Sequence, residues 1–172
     1  MNSALHLVGL SRKAGRLAVG EEPVSEAAKR REAKLILVAA DAAENTLRRA
    51  QRFAESGEVP WLASPFTKAE LGGAVGRSVC AMLAFTDVGL ASAAAEKLAW
   101  EDGERYGPAA QLLKERAGQA LERQKEQRAR EKQRQAARRR PWASPAQEKK
   151  TSKPGKPRKK HRPSGPDRRH ET

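Results

Sequence analysis

Apolar and polar positions divide the first hundred residues into short alternating segments. In NSALHLVGLSRKAG, Leu5, Val8 and Leu10 make one amphipathic face, Asn2 or Ser3 supplies a cap, and Gly15 ends the helix. RLAVG follows as a short strand. EEPVSEAAKRRE reads as a helix, with acids and a proline in its first turn and bases in its last, matching the helix dipole. From Lys34 to Ala40 the run KLILVAA lacks alternation, which fits a central strand covered on both faces. AENTLRRAQRFAESG is a helix whose buried stripe is Leu47, Ala50 and Ala54, joined by Phe53, with Gly57 at its end. VPWLA is a short strand. TKAELGGAVG opens with Thr67 and Glu70 at capping-box spacing. SVCAMLAFTD is a second fully apolar strand, and VGLASAAAEKLAW a closing helix.

The order is one helix, then strand and helix four times. Strands separated by single helices predict a layered α/β sandwich, with the two apolar runs as its inner strands. After Trp100 the pattern changes. DGERYGP reads as a linker, and from Ala109 to Arg140 good helix formers run almost without a breaker. Apolar residues thin out after Leu121, while Glu126–Arg130, Glu122–Lys125 and Glu131–Arg134 stand at helical pair spacings. This is a solvated basic helix. From Pro141 prolines and cations dominate, a composition that predicts disorder in isolation. The expected division is a folded domain over 1–100, a linker and basic helix over 101–140, and a disordered tail over 141–172.

Charge sharpens that division. Residues 1–99 carry 13 Lys/Arg against 11 Asp/Glu, whereas residues 100–172 carry 22 against 10. A near-neutral domain followed by a strongly basic segment points to a polyanion partner, nucleic acid before a membrane surface. Cys80 is the single cysteine of the chain, so no internal disulfide forms, and a reducing cytoplasm is expected. Its apolar surroundings make it core filler. No apolar stretch reaches the length of a membrane span, and no secretion signal is read at the N-terminus.

Catalytic and metal chemistry find no support. His6, His161 and His170 are far apart and one cysteine supplies no ligand spacing. There is no nucleophile elbow, no Walker loop and no dinucleotide fingerprint. No cofactor and no small-molecule substrate are expected. Glu21 and Glu22 are helix neighbours that point about 100° apart, so they suit a helix N-terminus better than a carboxylate dyad. GGAVG, Gly72 to Gly76, reads either as a helix C-cap with a tight turn or as a loop that RNA backbone can approach, helped by Arg77 and Ser78. Phe53, Trp61, Phe66, Phe85 and Trp100 are mostly expected inside, which argues against a stacking platform for single strands.

Four separated segments, LVGLSRKAGRLAVGEE, AKLILVAADAAENT, TKAELGGAVGR and LAFTDVGLA, stand in an order and spacing that resemble the YlxQ-type bacterial branch of a ribosomal-protein superfamily. Its better-known relatives are the archaeal and eukaryotic ribosomal proteins "L seven Ae" and "L thirty e". The resemblance spans about residues 4–98. It implies a three-layer α/β/α sandwich with a mixed central sheet, and binding to RNA kink-turns, sharply bent internal loops carrying sheared G·A pairs. It implies RNA contact at Gly20, Glu21 and Glu22, at Ala40 and Asp41, and at Val75, Gly76, Arg77 and Ser78. Arg12, Lys13 and Arg16 lie just upstream as candidates for the RNA backbone. Carboxylates at a helix start suit guanine N1–H and N2–H donors. The archaeal pattern has asparagine, glutamate and lysine where this sequence has Glu22, Pro23 and Glu26. The expected partner is ribosomal or other structured RNA, with ribosome or translation proteins beside it. A second reading is a protein-interaction adaptor whose basic tail tethers it to RNA.

Overall fold

The computed structural model describes residues 3–138. The Asn2 cap and the segment 141–172 lie outside them. The chain divides into a unit ending at Lys132 and a second beginning at Gln133, and the core and sheet belong to the first.

Helix α1 (Ser3–Lys13) leads to β1 (Leu17–Val19), α2 (Glu21–Lys29), β2 (Leu35–Val38), α3 (Glu44–Gly57), β3 (Trp61–Ala63), α4 (Lys68–Val75), β4 (Met82–Phe85), α5 (Val88–Glu101) and α6 (Gly103–Arg138). The sheet order is β1-β4-β2-β3, so the two apolar runs are indeed the inner strands. β4 runs antiparallel to both its neighbours, and β2 pairs parallel with β3. The sheet is therefore mixed.

The lack of alternation in β2 and β4 follows from burial on both faces. Leu35, Leu37, Leu83 and Phe85 enter one cluster with Leu17 and Val19, under α1, α4, α5 and the start of α6. Ile36, Val38, Met82 and Ala84 enter the other, under α2 and α3. Each fully buried Leu or Ile contributes about 1.5–3 kcal/mol of transfer free energy. The result is the three-layer sandwich. Small residues let the outer layers approach closely. A Cβ on Gly57 would lie 2.9 Å from the Ala28 carbonyl oxygen, so this glycine is where α3 meets α2.

Helix α1 keeps Val8 of its predicted face and departs from the rest. It buries Ala4, Val8 and Ser11, while Leu10 is 46% exposed and Leu5 half-buried. The small face fits against α4, where a Cβ on Gly9 would stand 3.3 Å from the Ala74 oxygen. The Ser11 hydroxyl is satisfied by donating to the Leu7 carbonyl at 2.7 Å. In α3, Ala50 and Ala54 are buried as expected, and Leu47 and Phe53 are half-buried.

Helices α2 and α3 end unusually. Arg31 (φ 57°) and Glu58 (φ 54°) hold left-handed backbone, the region that favours glycine. Each costs roughly 1–2 kcal/mol in that region. Their side chains pair at 3.1 Å, but they are 69% and 71% exposed, and such a pair offsets only about 0–1 kcal/mol.

The stretch read as a linker is helical. Asp102 ends α5 and starts α6, its carboxylate accepting from the Arg105 amide at 3.1 Å. Pro108 sits within the first two turns, where its missing N–H leaves the carbonyl of exposed Glu104 to solvent. Tyr106, Ala110 and Leu113 join the first core cluster, and the Tyr106 hydroxyl donates to the Ala63 carbonyl at 2.9 Å. Lys114 reaches Glu96 of α5 at 3.7 Å. Beyond Leu121 the helix is solvated and basic, as its composition predicts, with Lys125 on Glu122 at 2.9 Å.

Leu113 is fully buried and Leu121 is 51% exposed. Leu113→Ala is therefore expected to lower unfolding free energy by about 2–5 kcal/mol in urea titrations. Leu121→Ala should change it by about 0.5 kcal/mol or less. Equal, small effects would separate α6 from the core.

Candidate nucleic-acid interface

The antiparallel placement of β4 gathers the chain on one edge of the sheet. Val19 at the end of β1 is opposite Leu83, and Val38 at the end of β2 is opposite Met82. β3 runs with β2, so its end reaches the same edge. The exits of three strands thus meet the start of β4. Backbone hydrogen bonds lock the junctions: Gly20 N–H to Met82 O (3.0 Å), Ala39 N–H to Ala81 O (2.9 Å), Ala40 N–H to Phe66 O (2.8 Å) and Cys80 N–H to Lys68 O (2.8 Å). The Ser64 amide and hydroxyl both donate to Val38 O, at 2.8 and 2.9 Å. Three segments distant in sequence, 20–22, 40–41 and 75–78, become neighbours.

Gly20 is the N-cap of α2, at φ 101° and ψ 165°. That region is essentially reserved for glycine. No side chain caps α2, and Pro23 has no N–H, so the outward amides of its first turn are those of Glu21 and Glu22. The two glutamates differ. Glu21 is held by Arg49 of α3 at 2.5 Å. Glu22 is exposed and has no ion pair among the described residues. Arg77 crosses to this junction: its Nη1 donates to Val19 O at 3.5 Å and stands 3.6 Å from where a Cβ on Gly20 would lie.

The 75–78 turn is built by two glycines, the capped-turn reading of GGAVG. Gly76 (φ 74°) ends α4 in left-handed backbone. A Cβ on Gly72 would sit 2.8 Å from Arg77 O and from the Val79 backbone, so only glycine lets the loop fold back. The Val75 side chain is buried, which leaves its backbone with exposed Gly76, Arg77 and Ser78. Asp41 is engaged from the other side: its Oδ1 accepts from the Lys68 amide at the start of α4, at 2.7 Å. The Thr67–Glu70 capping box forms as expected. Bonds from the Thr67 amide, then its hydroxyl, hold the Glu70 carboxyl below the usual carboxylate range. That fixes the α4 start against which Asp41 rests.

Arg12, Lys13 and Arg16 are not part of this cluster. Arg16 stands at the other end of β1, where its carbonyl accepts from Thr86 beyond β4. Along the strand it is about 13 Å from Gly20, at about 3.3 Å per residue. Arg12 and Lys13 lie in the last turn of α1, which leads to that same end. Arg49 and Lys68 are the neighbours that sequence reasoning missed. Arg49 lies on a helix read only for its buried stripe, and Lys68 acts through its backbone, which no side-chain pattern reveals. Phe66 and Phe85 are buried and Phe53 and Trp61 half-buried, but Trp100 is 78% exposed with the Lys97 ammonium 3.8 Å from its ring centroid. It occupies the outer side of the last turn of α5. Cys80 is buried core, its thiol pushed up by burial and donating to Met82 O.

The space around a Cβ on Gly20 is open enough for contact without clash, so backbone strain alone decides a substitution there. Gly20→Ala should lower unfolding free energy by about 1–3 kcal/mol. A urea midpoint equal to that of the parent chain would contradict the assigned backbone.

A solved structure of a protein with unknown function from Bacillus halodurans C shares the fold, with a TM-score of 0.53 and 24% identity over 57% of this chain and 98% of that one. An RNA-binding protein YlxQ from Enterococcus faecium is 35% identical over 74 residues, which is 43% of this chain and 71% of the relative. The profile of the ribosomal protein L7Ae/L30e/S12e/Gadd45 family matches residues 2–95. With the fold, the strand-edge geometry and these matches together, the chain belongs to that family, as a YlxQ-type member.

Proposed function

We propose that the protein is a non-catalytic RNA-binding protein that recognises bent, kink-turn-like RNA in ribosomal or other structured RNA. The supporting observation is the convergence of 20–22, 40–41 and 75–78 on one sheet edge. The YlxQ relative, itself an RNA-binding protein by name, supports the ligand class. In this reading the edge divides its labour by chemistry. Glu22, unpaired and at the uncapped start of α2, accepts from guanine N1–H and N2–H, a bidentate contact that reads a base edge. The amides of Glu21 and Glu22 and the backbone of Gly76 offer donors where RNA approaches closely. Arg77, anchored on Val19 O, sets a cation beside them. Glu21 is held in its pair with Arg49 and acts by fixing α2 against α3.

Glu26 does not oppose this reading. It pairs with Arg30 one turn on, at 3.0 Å, with both side chains 63% exposed. Its charge is directed along α2 toward Arg30, away from the helix start. The basic segment beyond the domain adds phosphate contacts and with them a dependence on salt.

The test is binding of the full chain to a kink-turn RNA and to a straight duplex across salt concentrations. The kink-turn should be preferred. Glu22→Ala should weaken kink-turn binding by about 5- to 150-fold, the value of a bidentate base contact of about 1–3 kcal/mol, and leave duplex affinity unchanged. Equal affinity for both RNAs at every salt concentration would refute the shape-reading function. Capture of a protein partner by the domain that survives nuclease treatment would instead favour an adaptor.

A further inference from the structure

The opposite edge of the sheet carries a second constellation. There β2 and β3 begin and β4 ends, as the Lys34 amide shows by donating to Phe85 O at 2.7 Å. Helix α6 starts near the first edge, where Tyr106 bonds Ala63, and crosses to this one. A cleft of about 310 Å³ lies where it arrives, and Arg31, Lys34, Arg116 and Arg123 line it together with Glu58 and Val88. Four cations from two stretches of the chain, the α2–β2 connection and α6, converge, with one carboxylate among them.

That carboxylate is committed. Glu58 pairs with Arg31, and the Lys34 ammonium donates to the Arg31 carbonyl at 3.0 Å, so Arg31 is held from both ends. Arg31 and Glu58 are also the two non-glycine residues in left-handed backbone among those described. Their exposed pair does not offset two such conformations. Glycine would serve both helix ends better, so the two side chains stand here at a net cost in stability. Arg116 and Arg123 are exposed and have no carboxylate partner among the described residues. Further along the sequence of α6 come Lys125, Arg128, Arg130 and Lys132, interspersed with Glu122, Glu126 and Glu131.

We infer that this cleft is a second RNA contact, which grips the phosphate backbone through Arg31, Lys34, Arg116 and Arg123 at the sheet edge opposite Gly20. A cluster of guanidinium groups suits phosphate oxygens, which accept paired N–H donors. Phosphate contact is independent of sequence and of RNA bending, so this site holds a straight helix as well as a bent one. The inference rests on the chain binding RNA, and it does not depend on kink-turn preference at the other edge. Two RNA contacts on opposite edges let one domain touch two segments of a folded RNA.

The full chain carrying Arg116→Gln and Arg123→Gln is the direct test, with a straight RNA duplex as probe and affinity read by fluorescence anisotropy. Each phosphate contact removed lowers the slope of log K against log salt by about 1. The double variant should show a slope smaller by about 2, and its loss of affinity between about 50 and 200 mM salt should shrink by roughly tenfold. Arg31→Gly should raise the urea midpoint while reducing the duplex slope by about 1, a combination that a purely structural arginine does not produce. The ratio of kink-turn to duplex affinity should stay at the parent value in all of these variants. A parent chain without kink-turn preference, alongside intact slope changes, would refute the function proposed for the Gly20 edge and leave this site standing; a preference lost only in the variants would overturn the independence of the two sites. An unchanged duplex slope in the double variant would overturn it. So would polyglutamate binding more tightly than the duplex at equal charge concentration, which would assign the cleft to an acidic protein.

Discussion

The reversed strand β4 is the constraint on which the rest depends. Three strands run one way and β4 runs the other between two of them. The βα junctions after β1, β2 and β3 therefore open on one edge, and the α4–β4 turn opens on that edge too. Had β4 been parallel, its start would lie with the starts of β1 and β2, and Arg77 would be a strand length from Gly20. The register makes this specific. Val19 opposite Leu83 and Val38 opposite Met82 place the two exits within one residue of each other along β4. Shifting that register by one residue would turn Leu83 and Phe85 out of one core and Met82 and Ala84 out of the other. The packing of both layers thus holds the geometry of the site.

Much of this was legible because burial on both faces removes alternation. KLILVAA and AMLAF announce inner strands by the absence of polar positions, and Thr67 with Glu70 announces the start of α4 by a bond that needs only local chain. What failed to show has an equally physical cause. The hydrophobic pattern finds Val8 of the buried face of α1, but Ala4 and Ser11 hold their places by small size, so it selects Leu5 and Leu10 in their stead. The start of α6 hides behind Gly103, Gly107 and Pro108, residues that break helices except near a capped N-terminus, and Asp102 supplies that cap. Arg12, Lys13 and Arg16 adjoin Gly20 in sequence, but an intervening strand carries them to the opposite end. The contacts of Gly20 come from Arg77 and Met82, far along the chain; sequence reached Arg77 through the GGAVG loop and the family resemblance, and nothing in it pointed to Met82.

Glycine and its substitutes record where stability was spent. At Gly20, Gly57, Gly72 and Gly76 the backbone either takes a positive φ or approaches another chain segment too closely for a Cβ. Three of these lie at the candidate interface or shape its loop. Arg31 and Glu58 are the reverse case, side chains kept where glycine would be easier. The two kinds of position differ in what a change does to the fold: at the glycines a side chain adds strain or a clash, whereas at Arg31 and Glu58 glycine would relieve strain.

The distribution of charge fits two different tasks for the two edges. Base edges in RNA offer donors as well as acceptors, so a surface that reads them has use for a carboxylate, and Glu22 at an uncapped helix start is such a group without a neutralising partner. Phosphates offer only acceptors and negative charge, so a surface that grips them has use for arginine and lysine. Bringing the four cleft cations to the Glu22 edge as well, where Arg77 already stands, would set Glu22 against the phosphates they attract, and each would weaken the other through the Coulomb term. The sheet separates them. Its strands of three and four residues hold the Gly20 edge and the Arg31 cleft about 10 Å or more apart, on the order of a Debye length at physiological salt. The near-neutral charge of residues 1–99 therefore describes neither surface, since Arg116 and Arg123 of the cleft come from the basic segment beyond it.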